Sequence, residues 1–178
     1  MDKAELRKQM IKARLDLDSI TYTAKSNFII NKLKSNPAFI KAKTIGIYVS
    51  FNQEVDTIAL ITEMLGKKNI CVPKIEGKEM NFYLIDSLQE LKANRMGILE
   101  PDNKKLVLND QIDLMIVPLV GYDKNNNRLG YGGGYYDRYL KNYNQTTIGL
   151  AFSFQMVDCL PVEPFDLPID VIINEKYD

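Results

Sequence analysis

The chain has 178 residues, enough for one domain with a buried core, and its 23 Lys and Arg residues balance its 23 Asp and Glu residues. A net charge of zero gives no support to a role in binding nucleic acids or membrane surfaces. Histidine is absent, which excludes Ser-His-Asp and Cys-His catalysis and histidine-ligated zinc. Carboxylate, lysine, arginine, tyrosine and backbone groups remain, and these suit phosphate and Mg²⁺.

The sequence carries no signal for secretion or for a membrane. Residues 1–16 are charged throughout and lack the apolar core of a signal peptide, and no apolar run approaches the ~20 residues of a membrane span. The two cysteines, Cys71 and Cys159, lie far apart, and Cys71 falls in an apolar run. These features predict a reduced cytoplasmic protein, with a disulfide as the alternative.

In chain order, the hydrophobic periodicity predicts two helices and then alternating strands and helices. The helices are predicted at 2–18, 22–35, 55–68, 87–93 and 135–143, and the strands at 44–51, 69–75, 80–85, 111–122, 146–153 and 169–175. Near-continuous apolar strands are typical of a sheet covered on both faces. The pattern therefore predicts one three-layer α/β/α domain over residues 1–178, with a largely parallel, Rossmann-like central sheet.

The segment 127–138, NRLGYGGGYYDR, lies between a predicted strand and a predicted helix. Ligands of open α/β sheets bind beyond the carboxyl ends of the strands, where a glycine-rich turn offers free N–H groups to an anion. The segment is neither a P-loop nor the dinucleotide fingerprint, since Tyr135 stands where the last glycine of the fingerprint would be. We predict phosphate binding here, with a flexible surface hinge as the alternative.

Three basic residues of the first predicted helix, Lys3, Arg7 and Arg14, fall within about 40° of one another at helical spacing. They flank its apolar stripe, which fits an anion site at the edge of the core. In combination with the glycine segment, they are candidates for the far end of a triphosphate. A plain exposed basic face is the alternative.

Four acidic residues are candidates for ligand chemistry. Asp137 opens the helix after the glycines and predicts a Mg²⁺ ligand, or else a charge that complements the helix dipole. Asp166 and Asp170 lie near the last strand, and either could supply a second carboxylate or serve as a turn residue. Glu54 follows the first strand, where a carboxylate could pair with the amidine-like edge of a heterocycle or simply begin a helix.

The segment 118–140, PLVGYDKNNNRLGYGGGYYDRYL, resembles the 5-formyltetrahydrofolate cyclo-ligase family, whose pattern is a glycine, an aromatic-Asp pair and then RLG-x-G-x-GYYD. Further matches cover most of the chain: Lys3 with Arg7, SFNQEVDT (50–57), VPKI (72–75), GILEP (97–101) and FDLPID (165–170). Some members carry a lysine where this chain has Gly133. The absence of that cation would make Arg128 and Arg138 more important.

The resemblance implies a three-layer fold and an ATP- and Mg²⁺-dependent closure of 5-formyltetrahydrofolate to 5,10-methenyltetrahydrofolate, with release of ADP and phosphate. It implies that the expected ATP contacts are Lys3, Arg7, Arg128, Leu129, Gly130, Tyr131, Gly132, Gly133, Gly134, Tyr135 and Tyr136. It implies that the expected folate contacts are Val49, Glu54, Tyr131, Gly132, Gly133, Gly134 and Tyr135. Asp137 and Asp166 would hold Mg²⁺, and Arg128 and Asp137 would be the catalytic residues.

This reaction is feasible without histidine, because both nucleophiles, the formyl oxygen and N10, belong to the substrate. We expect two small-molecule partners, the folate and ATP, no nucleic acid, no membrane, and a monomer or weak homodimer. A sugar-phosphate isomerase on a similar fold and a non-catalytic nucleotide- or folate-binding regulator are the alternatives.

Overall fold

The computed structural model describes residues 1–176. Within them, the helices are α1 (Lys3–Leu15), α2 (Ser19–Lys34), α3 (Pro37–Lys41), α4 (Ile58–Met64) and α5 (Tyr135–Leu140). The strands are β1 (Thr44–Ile47), β2 (Asn69–Glu76), β3 (Glu79–Ile85), β4 (Leu91–Ala93), β5 (Leu99–Pro101), β6 (Leu106–Val107), β7 (Leu114–Val117), β8 (Gly121–Asp123), β9 (Arg128–Leu129), β10 (Thr146–Leu150), β11 (Met156–Val157) and β12 (Val171–Ile173).

A central sheet has the strand order β12-β10-β7-β1-β2-β3-β6. The strands from β12 to β2 run parallel, and β3 and β6 continue the sheet antiparallel at one edge. This arrangement confirms the prediction of an α/β fold with a largely parallel sheet. The carboxyl ends of β1 and β7, which are neighbours near the middle of the sheet, meet at the same edge.

Apolar side chains cover both faces of the sheet, which accounts for the near-continuous apolar strands. In β7, Leu114 and Ile116 join the core beneath α2, α3 and α4, whereas Met115 and Val117 join the core beneath α5. All four side chains are fully buried. Because successive side chains of a strand point to opposite faces, a strand between two helical layers must be apolar at every position.

The predicted strand 111–122 is wrong as one element, because the chain leaves the central sheet after Val117. Pro118 follows and has no N–H group to donate to a neighbouring strand. The chain then enters β8, which pairs with β9 and β11 in a separate small sheet. This detour carries the glycine segment from the end of β7 over the edge of the central sheet.

One further prediction needs correction. The predicted helix 87–93 consists of a 3₁₀ turn over Leu88–Glu90 followed by β4, which pairs with β5. The short helix α3 was not predicted; it begins at Pro37, beyond the end of α2, where the side chain of Asn36 accepts a hydrogen bond from Ala38 N. Proline is favoured in a first helical turn, because its missing N–H has no partner there in any case.

Helix α1 packs outside the central sheet, against the small sheet. Leu6 shares an apolar cluster with Val120, Leu129 and Leu160. This contact places the basic side of α1 over the glycine segment. Within residues 1–176, no helix has the length and apolar character that crossing a membrane requires.

Asp170 ties the approach to β12 to the start of β10. Its Oδ2 accepts hydrogen bonds from Thr147 N at 2.9 Å and Thr147 Oγ1 at 3.2 Å, and its own N–H donates to Thr147 Oγ1 at 3.0 Å. Thr147 is buried. Asp170 therefore has a structural task at this end of the sheet.

We expect Asp170→Ala to lower the free energy of unfolding by about 1–2 kcal/mol, because the buried Thr147 N–H would lose its acceptor. Urea unfolding at neutral pH measures this change. Asp158→Ala removes an exposed aspartate and serves as the control. Equal effects of the two substitutions would contradict the structural role of Asp170.

Candidate active site

The side chains expected to bind ligands gather beyond the carboxyl ends of β1 and β7. Glu54 follows β1, the glycine segment follows the detour after β7, and α1 lies across both. This placement agrees with the edge predicted from the topology of an open α/β sheet. The site is therefore assembled from three stretches that are distant in the sequence.

The bare backbone of the glycine segment lets guanidinium groups approach it closely. A Cβ atom would meet Arg128 at Gly130 (3.0 Å), Arg7 at Gly132 (3.3 Å) and Arg138 at Gly134 (2.6 Å). Gly132 and Gly134 also have φ values of 104° and 72°, which disfavour any other residue. The glycines thus permit two features: the left-handed backbone conformation and the close approach of the guanidinium groups.

Arg128 is fixed at the inner side of the segment. Its Nε donates to Pro118 O at 2.7 Å, and its guanidinium lies 5.1 Å from the ring centre of Tyr136. Burial lowers the pKa of Arg128, although an arginine stays charged at neutral pH. The Tyr136 hydroxyl beside it is buried and has no hydrogen-bond partner within residues 1–176. A ligand oxygen there would satisfy both groups, so the residues fit a phosphate-bearing ligand.

The basic stripe of α1 lies against the segments it was expected to serve. Arg7 Nε donates to Gly130 O at 2.7 Å. Lys3 Nζ lies 2.5 Å from Asp166 Oδ2 and 3.7 Å from Glu163 Oε1. The alternative of a plain exposed basic face does not describe Arg14, which is 1% exposed.

Asp137 is hydrogen-bonded to the backbone of Leu167, which follows Asp166 in the sequence. Asp137 Oδ1 accepts a hydrogen bond of 3.4 Å from Leu167 N, the residue directly after Asp166. Burial raises the pKa of the Asp166 carboxyl, but hydrogen bonds from Lys3 and from Glu163 N outweigh it and leave the pKa lowered. Residues 1–176 hold no cluster of three or more metal-ligating side chains. Two carboxylates nevertheless suit Mg²⁺, which takes one or two together with phosphate oxygens and water.

Glu54 is a buried carboxylate, 6% exposed, that joins the end of β1 to the glycine segment. Its Oε1 accepts a hydrogen bond from Phe51 N at 2.8 Å, and its Oε2 accepts one from Tyr131 OH at 3.1 Å. Burial raises the pKa of Glu54 to about 7, and the charge of Arg14 acts in the opposite direction. The carboxylate therefore changes charge close to neutral pH.

Not every expected contact residue presents its side chain to the site. Val49 and Leu129 are buried in apolar clusters. Tyr135 points away from Glu54, toward the β2–β3 hairpin, where its hydroxyl donates to Gly77 O at 3.3 Å. A Cβ atom at Gly133 would meet the Tyr135 ring at 2.7 Å, so a larger residue at this position would require the ring of Tyr135 to move. For Val49 and Leu129, ligand contact would have to involve the backbone.

Two arginines that lie in the site, Arg14 and Arg138, were candidates from the sequence but were not among the ATP and folate contacts that the family resemblance implies. Arg138 donates to Gly133 O and to Lys78 O, each at 2.9 Å. Arg14 Nη2 donates to Tyr131 OH at 2.5 Å. The spacing of seven residues between Arg7 and Arg14 indicated a shared helix face, and it was the available signal for Arg14.

We expect Glu54→Gln to change the pH dependence of stability. The pKa of Glu54 is raised from 4.5 in the unfolded chain to about 7 in the folded protein. Glu54 therefore contributes stability that is fully present below pH 4.5 and is lost as the pH rises through 7. The unfolding free energy of the variant relative to the parent should therefore rise by up to about 3 kcal/mol between pH 5 and pH 8. Urea unfolding at both pH values measures this shift. Glu5→Gln, at an exposed position, controls for the change of charge, and a pH-independent difference would contradict the shifted pKa.

Comparisons with known proteins identify relatives along the whole chain. The profile of the 5-formyltetrahydrofolate cyclo-ligase family matches residues 1–175. A 5-formyltetrahydrofolate cyclo-ligase of Haemophilus influenzae is 38% identical over 146 residues, 75% of this chain and 77% of the relative. One from Mycoplasma pneumoniae is 36% identical over 184 residues, 99% of this chain and 100% of the relative.

A solved structure shows the same fold. The 5,10-methenyltetrahydrofolate synthetase of Aquifex aeolicus superposes with a TM-score of 0.90 at 38% identity, covering 99% of this chain and 91% of that one. The match of the family profile spans the β1 end, the glycine segment and Asp166 alike. The chain belongs to the 5-formyltetrahydrofolate cyclo-ligase family.

Proposed function

We propose that the chain closes the ring of 5-formyltetrahydrofolate to give 5,10-methenyltetrahydrofolate, using ATP and releasing ADP and phosphate. The observation that carries this proposal is the hydrogen bond between Tyr131 and Glu54. It joins a buried carboxylate, suited to a nitrogen heterocycle, to a glycine segment surrounded by guanidinium groups, suited to phosphate. The two substrates of such a ligase need these two environments side by side.

The phosphate half comprises the cations around the glycine segment. Arg128 and Arg7 contact its backbone, and Lys3 lies beside Asp166. Arginine forks and backbone N–H groups stabilise the charge that spreads over a transferring phosphoryl group. The unpartnered hydroxyl of Tyr136 would donate to a ligand oxygen. We assign the triphosphate of ATP to this half of the site, which agrees with the family resemblance.

Asp137 and Asp166 would hold Mg²⁺ next to the phosphates. When bound, Mg²⁺ would neutralise charge on the phosphate oxygens. Asp170, the alternative to Asp166, already accepts two hydrogen bonds from Thr147 at the start of β10. This engagement favours Asp166 as the second carboxylate. Lys3, which pairs with Asp166, would then be released to a phosphate oxygen.

The folate half centres on Glu54. The pterin ring carries an amide N–H and an amino group on one edge, and a carboxylate can accept from both with its two oxygens. Each oxygen of Glu54 accepts one protein hydrogen bond, which leaves a second lone pair on each for the ring. Tyr131, 44% exposed, lies at the entrance and belongs to both halves.

The reaction can proceed without a protein nucleophile. The formyl oxygen would attack the γ-phosphorus of ATP, and the bond from that phosphorus to the bridging oxygen of ADP would break. N10 of the folate would then attack the activated formyl carbon, lose its proton and expel phosphate. The protein supplies alignment and charge stabilisation, which account for most of the catalysis of phosphoryl transfer. The absence of histidine is therefore no obstacle.

We further propose that the folate and ATP are the partners of a cytoplasmic enzyme, present as a monomer or weak homodimer. The balanced charge of the chain favours small-molecule substrates over nucleic acid or membrane surfaces. Sedimentation of the purified protein at several concentrations tests the oligomeric state.

The activity is tested by near-ultraviolet absorbance with 5-formyltetrahydrofolate. The product contains a conjugated amidinium and absorbs where the substrate does not. We expect absorbance to rise only with ATP and Mg²⁺ together, with one ADP formed per product. ATP binding without product would support the non-catalytic regulator, and the absence of both would reopen the sugar-phosphate isomerase.

We expect Asp137→Asn and Asp166→Asn each to lower the rate at fixed Mg²⁺ by about 100-fold or more, because each removes a carboxylate ligand of the ion. Raising the Mg²⁺ concentration should recover part of the loss. Asp170→Asn is the matched control and should keep the Mg²⁺ dependence of the parent. A shift of the Mg²⁺ dependence to higher concentration in Asp170→Asn but not in Asp166→Asn would contradict this assignment and make Asp170 the second carboxylate.

A further inference from the structure

Arg14 is a buried cation at the centre of the site. It is 1% exposed, and its guanidinium makes contacts in two directions. Nε donates to Asn52 O at 2.8 Å, in the turn before Glu54, and Nη2 donates to Tyr131 OH at 2.5 Å, in the glycine segment. No salt bridge of residues 1–176 includes Arg14. A buried charge is costly without compensation, and the charge of Glu54, reached through Tyr131, supplies part of it.

Hydrogen bonds in both directions join the turn before Glu54 to the end of α1. While Arg14 donates to Asn52 O, the side chain of Gln53 donates back to Arg14 O at 2.7 Å. Asn52 and Gln53 have φ values of 49° and 55°, a left-handed conformation that asparagine tolerates but that is uncommon for glutamine. Backbone in an uncommon conformation persists where contacts with its surroundings hold it in place, and such backbone is often found at ligand sites. The position of Glu54 therefore depends on Arg14.

We propose that Arg14 is a positioning residue for substrate recognition, which fixes the Glu54 carboxylate for the pterin ring through the Asn52 turn and through Tyr131. The proposal rests on the proposed function, since it assigns the folate to Glu54. Arg14 needs no contact with substrate: it orients the carboxylate, and its positive charge favours the ionised form that can accept two ring N–H groups.

The charge of Arg14 is the main influence that opposes the effect of burial on Glu54. The charged and titratable groups that interact with Glu54 are Arg14, Arg128, Tyr22, Tyr48, Tyr131 and Tyr136. The pKa of each of these tyrosines is raised above its ordinary value by burial, so they stay neutral between pH 6 and pH 9. Over this range, Glu54 is the group in the cluster that changes charge. Loss of the Arg14 charge would extend protonation of Glu54 to higher pH.

The test is the pH dependence of the KM values of Arg14→Met and Arg14→Lys. For Arg14→Met at pH 7, we expect the KM for 5-formyltetrahydrofolate to rise about fivefold, the effect of about one unit of pKa on a carboxyl that is half ionised in the parent, and the KM for ATP to stay within about twofold. The folate KM should recover in part at pH 9, where Glu54 ionises again, and the part that comes from lost positioning should remain. Arg14→Lys keeps the charge and should retain the pH profile of the parent, with a smaller rise in KM.

Two tyrosine variants separate positioning from a general loss of packing. Tyr131→Phe breaks the link between Arg14 and Glu54 but leaves the Asn52 contact, and its effect on the folate KM should not add to that of Arg14→Met. Tyr143→Phe is the matched control. It removes a buried hydroxyl that donates to Ile112 O at 3.1 Å, in the core beneath α5, and should leave the folate KM profile unchanged.

The outcomes are distinct. If Arg14→Met folds and its folate KM and pH profile match those of the parent, the proposal fails. It also fails if the KM for ATP rises instead, since Arg14 would then serve the nucleotide. If Arg14→Met does not fold, the proposal is tested by Arg14→Lys and Tyr131→Phe. An unchanged folate KM in both variants overturns it. An inactive parent protein would instead overturn the proposed function.

Discussion

The contact between guanidinium groups and bare backbone in the glycine segment is the constraint on which the site depends. The guanidinium groups of Arg7, Arg128 and Arg138 lie only 2.6 to 3.3 Å from the positions that Cβ atoms would take at Gly132, Gly130 and Gly134. Their hydrogen bonds go to backbone carbonyls, which neutralise no charge. The segment therefore keeps a concentration of positive charge that only an anionic ligand or nearby carboxylates can offset. An anion would offset this charge, and the triphosphate of ATP, which we propose for this half of the site, would supply one.

Helix α1 connects the two halves of the site. Lys3 contacts Asp166, Arg7 contacts Gly130, and Arg14 contacts Tyr131, so one helix face reaches the candidate metal, phosphate and folate regions in turn. The helix lies outside the central sheet and rests on the small sheet that forms after Pro118. The departure of the chain from the central sheet at Pro118 is thus as important for the site as the central strands. It allows the small sheet to form, and α1 packs against that sheet.

Much of this arrangement could be predicted from the sequence, because it follows from local patterns. The apolar run of β7 indicated a doubly covered sheet, and the position of Glu54 and the glycine segment after strands placed both at one edge. The burial of Arg14 could not be predicted, since periodicity gives the direction of a side chain and not its depth. The choice between Asp166 and Asp170 depends on Lys3 and Thr147, which are distant in sequence. The departure after Val117 likewise depends on which strands lie beside it.

The contacts of α1 have a consequence for the biosynthesis of the protein. Lys3 and Asp166 are 163 positions apart, and Arg14 and Tyr131 are 117 apart. A growing chain leaves the ribosome at roughly 5–20 residues per second, so roughly 6–30 seconds separate the synthesis of α1 from that of these partners. Contacts of such long range are slow to form, because the intervening chain must be ordered first. Helix α1 therefore lacks these contacts until Tyr131 and Asp166 have been synthesised, and the site is completed late in the synthesis of the chain.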